Sequence, residues 1–228
     1  GPGSLVTGRS EYVLPSLAVG KCVDRHLAKA LLACRKIARS KSERLSLFGF
    51  LPRGGVGNSA PLIIPTTDTA ADLLVLYANL CSFAFDYVVR QKLGGSNLNF
   101  FYVQQFPVLP KRQFNKANVD WVCTRAIELI YTANDLRRFA SSTCWSGSPF
   151  KWDEDRRFLL RCELDALFFH LYGIDRQDVA YIMDTFPIVR RKDEQMFGEY
   201  RTKRMVLEIY NAMTESQGSG VPYQTVLN

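Results

Sequence analysis

Residues 68–90 constrain this chain more than any other stretch. Leu73, Leu76, Tyr77, Leu80, Ala84 and Tyr87 recur at helical spacing, while Asp72, Asn79 and Asp86 form a narrow polar stripe, one every seven residues. A helix apolar around most of its girth must be covered by the rest of the chain, so the pattern predicts one long, mostly buried helix. Phe83, Phe85 and Tyr87 then read as core rather than as a binding surface. With 228 residues the chain is long enough to bury such a helix in one large domain or two small ones. An apolar share of 47% and a charged share of 22% are those of a globular protein and argue against disorder.

Turn signals and periodicity divide the remainder near Pro110. Before it, residues 31–38 and 44–51 read as strands joined by the polar turn 39–42, and residues 61–65 as a short returning strand held to an edge by Pro61 and Pro65. After it, helical patterns dominate. Asn118 and Asp153 are candidate caps, and Asp175 begins a short helix ended by Phe186-Pro187. A last helix spans about 199–213, and residues 217–220 read as frayed. The expected fold is α+β: a small mixed β-sheet region packed with the long buried helix, then a helical C-terminal region. Residues 1–4 (Gly-Pro-Gly-Ser) read as an expression-tag remnant, 5–110 as an α/β target-recognition region, 111–214 as a helical support, and 215–228 as a flexible tail. The missing natural start suggests a piece of a longer protein. No signal peptide is visible and no apolar run approaches the roughly 20 residues of a membrane span, so a cytoplasmic location is expected.

Several chemistries find no support in the residues. The cysteines, at 22, 34, 81, 123, 144 and 162, form no CxxC pair, and only His26 and His170 could join them in a zinc site. Cys81 and Cys162 lie in apolar helical patterns, where a thiol behaves as a small hydrophobe, and His170 reads as a satisfied helix histidine. The loop 53–59 is rich in glycine, but Asn58 stands where a phosphate-binding loop needs lysine, and no GxGxxG, GxSxG or HExxH motif occurs. No catalytic residue, metal site or cofactor site is assigned to this chain.

The charge points to an anionic partner. Net charge is +7. Arg35, Lys36, Arg39, Lys41, Arg44 and Arg53 face a single acid, Glu43, between residues 35 and 53. A second basic run, 190–204, is diluted by Asp193, Glu194 and Glu199 and reads as a solvated turn. Double-stranded DNA favours basic side chains and approachable glycine-loop amides along its phosphates, and Arg, Asn and Gln as readers of base edges. Asn58, Asn97, Asn99 and Gln104 are of the right type and lie in or near loops. In the segment 94–110 the two glycines permit a tight turn, residues 100–103 read as a short strand, and Pro107 and Pro110 end it.

Residues 35–45 (RKIARSKSERL), 50–58 (FLPRGGVGN), 78–83 (ANLCSF), 86–92 (DYVVRQK) and 94–110 resemble, in order and spacing, the C-terminal specificity domains of TaqI-like proteins. Residues 163–174, 184–189 and 198–204 resemble the tail of the same proteins, so the likeness is spread over roughly residues 31–211. Lys41-Ser42 departs from the Thr-Asn or Thr-Asp common in the family. The resemblance implies a DNA target-recognition domain, C-terminal to an adenine-N6 DNA methyltransferase of the type IIG restriction–modification or phage-defence (BREX or DISARM) kind. Such a parent uses S-adenosylmethionine and an Asn-Pro-Pro-aromatic motif on a flipped adenine. No Asn-Pro-Pro occurs here, so methyl transfer is not expected of this piece. Carried over, Arg35, Lys36, Arg39, Lys41 and Arg44 would approach DNA from the hairpin, with Arg53, Asn58, Lys92, Asn97, Asn99 and Gln104 on further loops. The implied partners are double-stranded DNA and the methyltransferase domain of the parent. The alternative is a protein-interaction module whose basic face docks an acidic partner or that domain.

Overall fold

The computed structural model describes residues 30–39, 42–63, 69–143 and 145–227. Three strands open the chain: β1 (Leu31–Cys34), β2 (Phe48–Leu51) and β3 (Leu62–Ile63). They form one sheet in the order β2-β1-β3. Every pairing is antiparallel, with Leu31 opposite Leu51 and Leu32 opposite Ile63. Among the described residues the sheet is therefore antiparallel throughout, not mixed. β1 is buried along its whole length, as a central strand covered on both faces should be, whereas β2 alternates buried and half-buried residues.

The predicted long helix is two helices, α1 (Ala70–Leu80) and α2 (Phe83–Lys92), bent by 58° at Cys81-Ser82. Ser82 explains the break. Its backbone is extended, its hydroxyl donates to the Asn79 carbonyl, and it accepts from the Phe85 amide as the N-cap of α2. The polar stripe does not face water. Asp72, Asn79 and Asp86 are all buried, and each anchors a crossing segment. Asp72 pairs with Lys111 at 2.9 Å. Asn79 accepts from the Leu109 amide and donates to the Tyr172 hydroxyl. Asp86 Oδ2 accepts from Arg44 Nε and from the amides of Leu45 and Ser46, and its Oδ1 accepts from Arg90 Nε. Among the described residues no single helix is long and apolar enough to cross a membrane.

Residues 100–103 form a single helical turn, α3 (Phe100–Val103), rather than a strand. Strand pairing on this segment ends at Leu98, and the Val103 amide bonds back to the Asn99 carbonyl. The helical region then runs α4 (Lys116–Ile130), α5 (Arg137–Ala140), α6 (Glu154–Leu171), α7 (Arg176–Asp184), α8 (Pro187–Phe197) and α9 (Arg201–Ser219). Asn115, not Asn118, caps α4 by accepting from the Asn118 amide. Asp153 caps α6, and Gly173, at φ 68°, lies just past its end, in the left-handed region that suits glycine. Pro187 occupies the first turn of α8, where its missing amide costs nothing, so the basic run 190–197 is helix rather than turn. Asp193 on that helix accepts from the Thr202 amide at the start of α9, and α9 continues through residues 217–219 to a left-handed Gly220.

Two apolar clusters meet at α6. Leu160, Leu164 and Phe168 pack with the sheet, α1 and α4, while Cys162, Ala166 and Phe169 pack with α7 and α9. Phe83 on α2 meets Phe186 edge-on at 4.7 Å, so the second cluster also crosses the division near Pro110. The C-terminal segment is packed rather than loose. Buried Glu163 accepts on Oε1 from the Tyr223 and Thr225 hydroxyls and the Val226 amide, and on Oε2 from Arg125 Nε at 2.6 Å.

Asp86→Ala leaves two guanidinium groups and two amides without their shared acceptor. It is expected to cost about 3–5 kcal/mol in urea unfolding, clearly more than Asp72→Ala, whose partner Lys111 is 61% exposed. Removing residues 221–228 strips three donors from Glu163 and should cost at least about 1.5 kcal/mol in the same assay.

Candidate nucleic-acid interface

Beyond β1 the chain stays extended, and its edge passes from one loop to another. The Cys34 and Lys36 amides donate to the Pro61 and Ser59 carbonyls. Lys36 then accepts from the Leu98 amide, and the Ala38 amide donates to the Ser96 carbonyl, with Ile37 opposite Asn97 in an antiparallel bridge. The glycine loop before β3 and the glycine turn after α2 thus meet on one short strand extension. Side chains close the same junction, since Lys36 Nζ donates to Asn58 Oδ1 at 3.1 Å.

This geometry brings together most of the predicted recognition residues. Arg35 and Arg39 are exposed on the extension, and Arg35 Nη2 also donates to the Arg44 carbonyl across the hairpin. Lys36 and Asn58 are joined directly. Asn97 is exposed in the bridge, Asn99 is half-buried immediately before α3, and Lys92 is exposed at the end of α2. Arg53 is exposed on the glycine loop. Gln104 sits exposed at the C-terminal end of α3, on the far side of that helix from Asn99. Lys41 lies outside the described residues.

Arg44 is the exception, and its expected place on a DNA-facing hairpin is corrected. Its guanidinium turns inward, bonding Asp86 and the Cys81 carbonyl, and lies 3.9 Å from the centre of the Phe83 ring. Burial works against its charge, but Asp86 and Asp165 more than offset this and hold it above the ordinary arginine range. Arg90 shares Asp86 and donates to the Ser42 and Glu43 carbonyls, with its guanidinium 4.5 Å from the Phe186 ring centre. Burial pulls Arg90 somewhat below its ordinary range, yet both arginines remain charged at any physiological pH. Together they fasten the hairpin to α2 and to the helices behind it.

Two features of this face lay outside the sequence reading. Helix α8 sets Lys192 against Glu43, so the two basic runs adjoin there, while Arg190 pairs with Glu194 on α8 itself and Arg191 is exposed. Ile37, Phe100 and Phe101, respectively 51%, 39% and 53% exposed, place apolar surface among the polar candidates. The contact between Glu43 and Lys192, 149 positions apart, carries no local signal. The aromatic run of 94–110 was visible, but a strand reading gave no reason to put both phenylalanines on the surface.

Among the described residues, His170, Cys34 and Cys81 are engaged with the interior. His170 Nε2 meets the Tyr210 carbonyl at 3.0 Å while its ring stacks on Tyr210, and burial lowers its pKa. Burial pushes the Cys34 thiol up to about 11 and the Cys81 thiol up to about 12, so neither is a ready nucleophile. A cleft of about 90 Å³ near the α1–α2 bend falls well short of the roughly 300 Å³ that a nucleoside-sized ligand needs. Comparison with protein-family models, curated proteins and solved structures returns no match to this chain.

Asp165, on α6 beneath the hairpin anchor, accepts from the Phe83 amide at 2.6 Å. Burial raises its pKa to about 6, against a partial opposing pull from Arg44. The folded state therefore holds this proton more tightly than the unfolded chain does. The carboxyl's contribution to stability is greatest below about pH 4 and is lost as pH rises to about 6. Stability measured as wild type minus Asp165→Asn should fall across that window and then level off; a flat difference would mean the carboxyl is not raised.

Proposed function

We propose that this chain is a DNA target-recognition module, the C-terminal part of a restriction–modification or phage-defence adenine-N6 methyltransferase, that binds double-stranded DNA and positions the catalytic domain. One observation carries the reading: the strand extension bearing Arg35, Lys36 and Arg39 joins both glycine loops on one exposed edge, so Asn58 and Asn97 stand beside the cations. Phosphate contacts fix register and base contacts specify sequence, so a recognition surface needs both residue types side by side. Arg35, Arg39, Arg53 and Lys92 supply the first, Asn58 and Asn97 the second. Exposed Arg191, near the Lys192–Glu43 contact, lengthens the basic track. Arg44 belongs to the scaffold and is left out of the contact set. The reading agrees with the net charge of +7 and with the resemblance of residues 31–211 to TaqI-like specificity domains.

Fluorescence anisotropy of the chain with duplex DNA, between about 50 and 200 mM salt, tests it. Binding should weaken steeply with salt. Arg39→Gln should weaken all duplexes alike and reduce the salt slope by about 1. Asn97→Ala should instead lower affinity for the preferred duplex by about 1–3 kcal/mol and spare the others. Absence of binding at 50 mM salt would sink the reading and leave the basic face to an acidic protein surface.

A further inference from the structure

The single turn α3 holds two large rings in water. Phe100 and Phe101 are exposed, Phe101 the more so at 53%, while Tyr102 and Val103 pack against the core. Both ends of the segment are tied down. Leu98 before it and Phe106 after it are buried, and the Phe106 ring meets Phe85 edge-on at 5.6 Å. The Tyr102 and Val103 amides close the turn on the Asn99 carbonyl, and Gln105 Nε2 donates to the Phe101 carbonyl at 2.7 Å. The Phe101 ring lies 4.1 Å from that of Tyr102, which backs it. The exposed rings thus stand on a hydrogen-bonded turn whose other side is set in the core.

Their neighbours along the chain are those of the candidate interface. Leu98, two residues before Phe100, pairs through its amide with the Lys36 carbonyl, and Asn97 lies opposite exposed Ile37. A residue spans at most about 3.6 Å of chain, so the Phe101 backbone lies within about 14 Å of that of Asn97. That distance is about four base-pair steps of roughly 3.4 Å. A ring on α3 and a base reader at Asn97 therefore fit within half a turn of one duplex. No Asp or Glu stands between Asp86 and Asp120, whereas Lys92, Arg112 and Lys116 in that span are exposed. Apolar rings in a basic, acid-free segment match a base step, whose faces are apolar and whose edges carry phosphates. The core of a protein–protein interface is instead depleted of charge.

We infer that Phe101, with Phe100 beside it, is a wedge that inserts between two adjacent base pairs of the bound duplex. This wedge rests on the reading of the face as a double-stranded DNA site, and adds a local unstacking and bend to it. An inserted side chain opens one base step, and the bent duplex then meets more of the protein surface. Steps that unstack easily are favoured without being contacted at their edges, so the wedge also contributes to sequence preference.

The test uses the whole chain and the duplex it prefers by anisotropy, with 2-aminopurine, a base that brightens on unstacking, at each position in turn. Saturating protein should brighten one position or two adjacent ones at least about threefold. Phe101→Ala removes an exposed ring and no phosphate contact. It should bind within about 10-fold of wild type, with the same salt slope, and brighten no position. Phe101→Trp, which keeps an aromatic wedge, should restore the brightening. Duplex binding without brightening, or brightening that survives in Phe101→Ala, overturns the wedge and leaves the DNA reading standing. No duplex binding by wild type at about 50 mM salt overturns both.

Discussion

A fully buried carboxylate holds this structure in register. Asp86 cannot stay charged away from water unless each of its oxygens is met by strong donors, and it gathers two guanidiniums and two backbone amides. Those donors come from the hairpin turn and from α2 itself. The hairpin is thereby pinned to the helix that the rest of the chain must cover. Because Arg44 and Arg90 also lie against Phe83 and Phe186, the same interaction ties the sheet region to the helices beyond α6.

The division near Pro110 separates strand-rich from helix-rich sequence but does not separate two cores. Helix α6 is apolar on two sides, and each side completes a different cluster. Buried polar groups then stitch across the division. Tyr172 takes the Asn79 amide and donates to the Pro107 carbonyl, and Asp165 accepts from the Phe83 amide. In a low-dielectric interior such groups tolerate few alternative arrangements, so they select one packing of the helices among those that apolar burial alone would allow.

Legibility followed the range of the responsible interaction. The α+β class, the strand positions near 31, 48 and 62, the Asp153 cap of α6 and the start of α7 at Asp175 were readable, because each rests on contacts within a few residues. The seven-residue polar stripe was seen but not its meaning. Apart from Arg90, one turn along α2, its members serve partners 30 to 93 positions away, and no local pattern distinguishes a solvated stripe from a row of buried anchors. The bend at Ser82 was hidden within an apolar period that runs unbroken on both sides of it. Residues 100–103 had strand-like composition, yet a strand exists only where a partner edge is free, and that edge is used up at Leu98.

The candidate surface shows the same split. Sequence alone determined the stock of groups: a basic hairpin, two glycine loops, and amide side chains suited to base edges, together with the lack of any catalytic motif. Tertiary structure decided their use. It turned Arg44 inward, joined Lys36 to Asn58, set Asn97 opposite Ile37 and moved α8 beside the hairpin. The physical reason is that residue chemistry is a property of one position. Whether a charge faces water or a buried carboxylate depends on which distant segments fold against it.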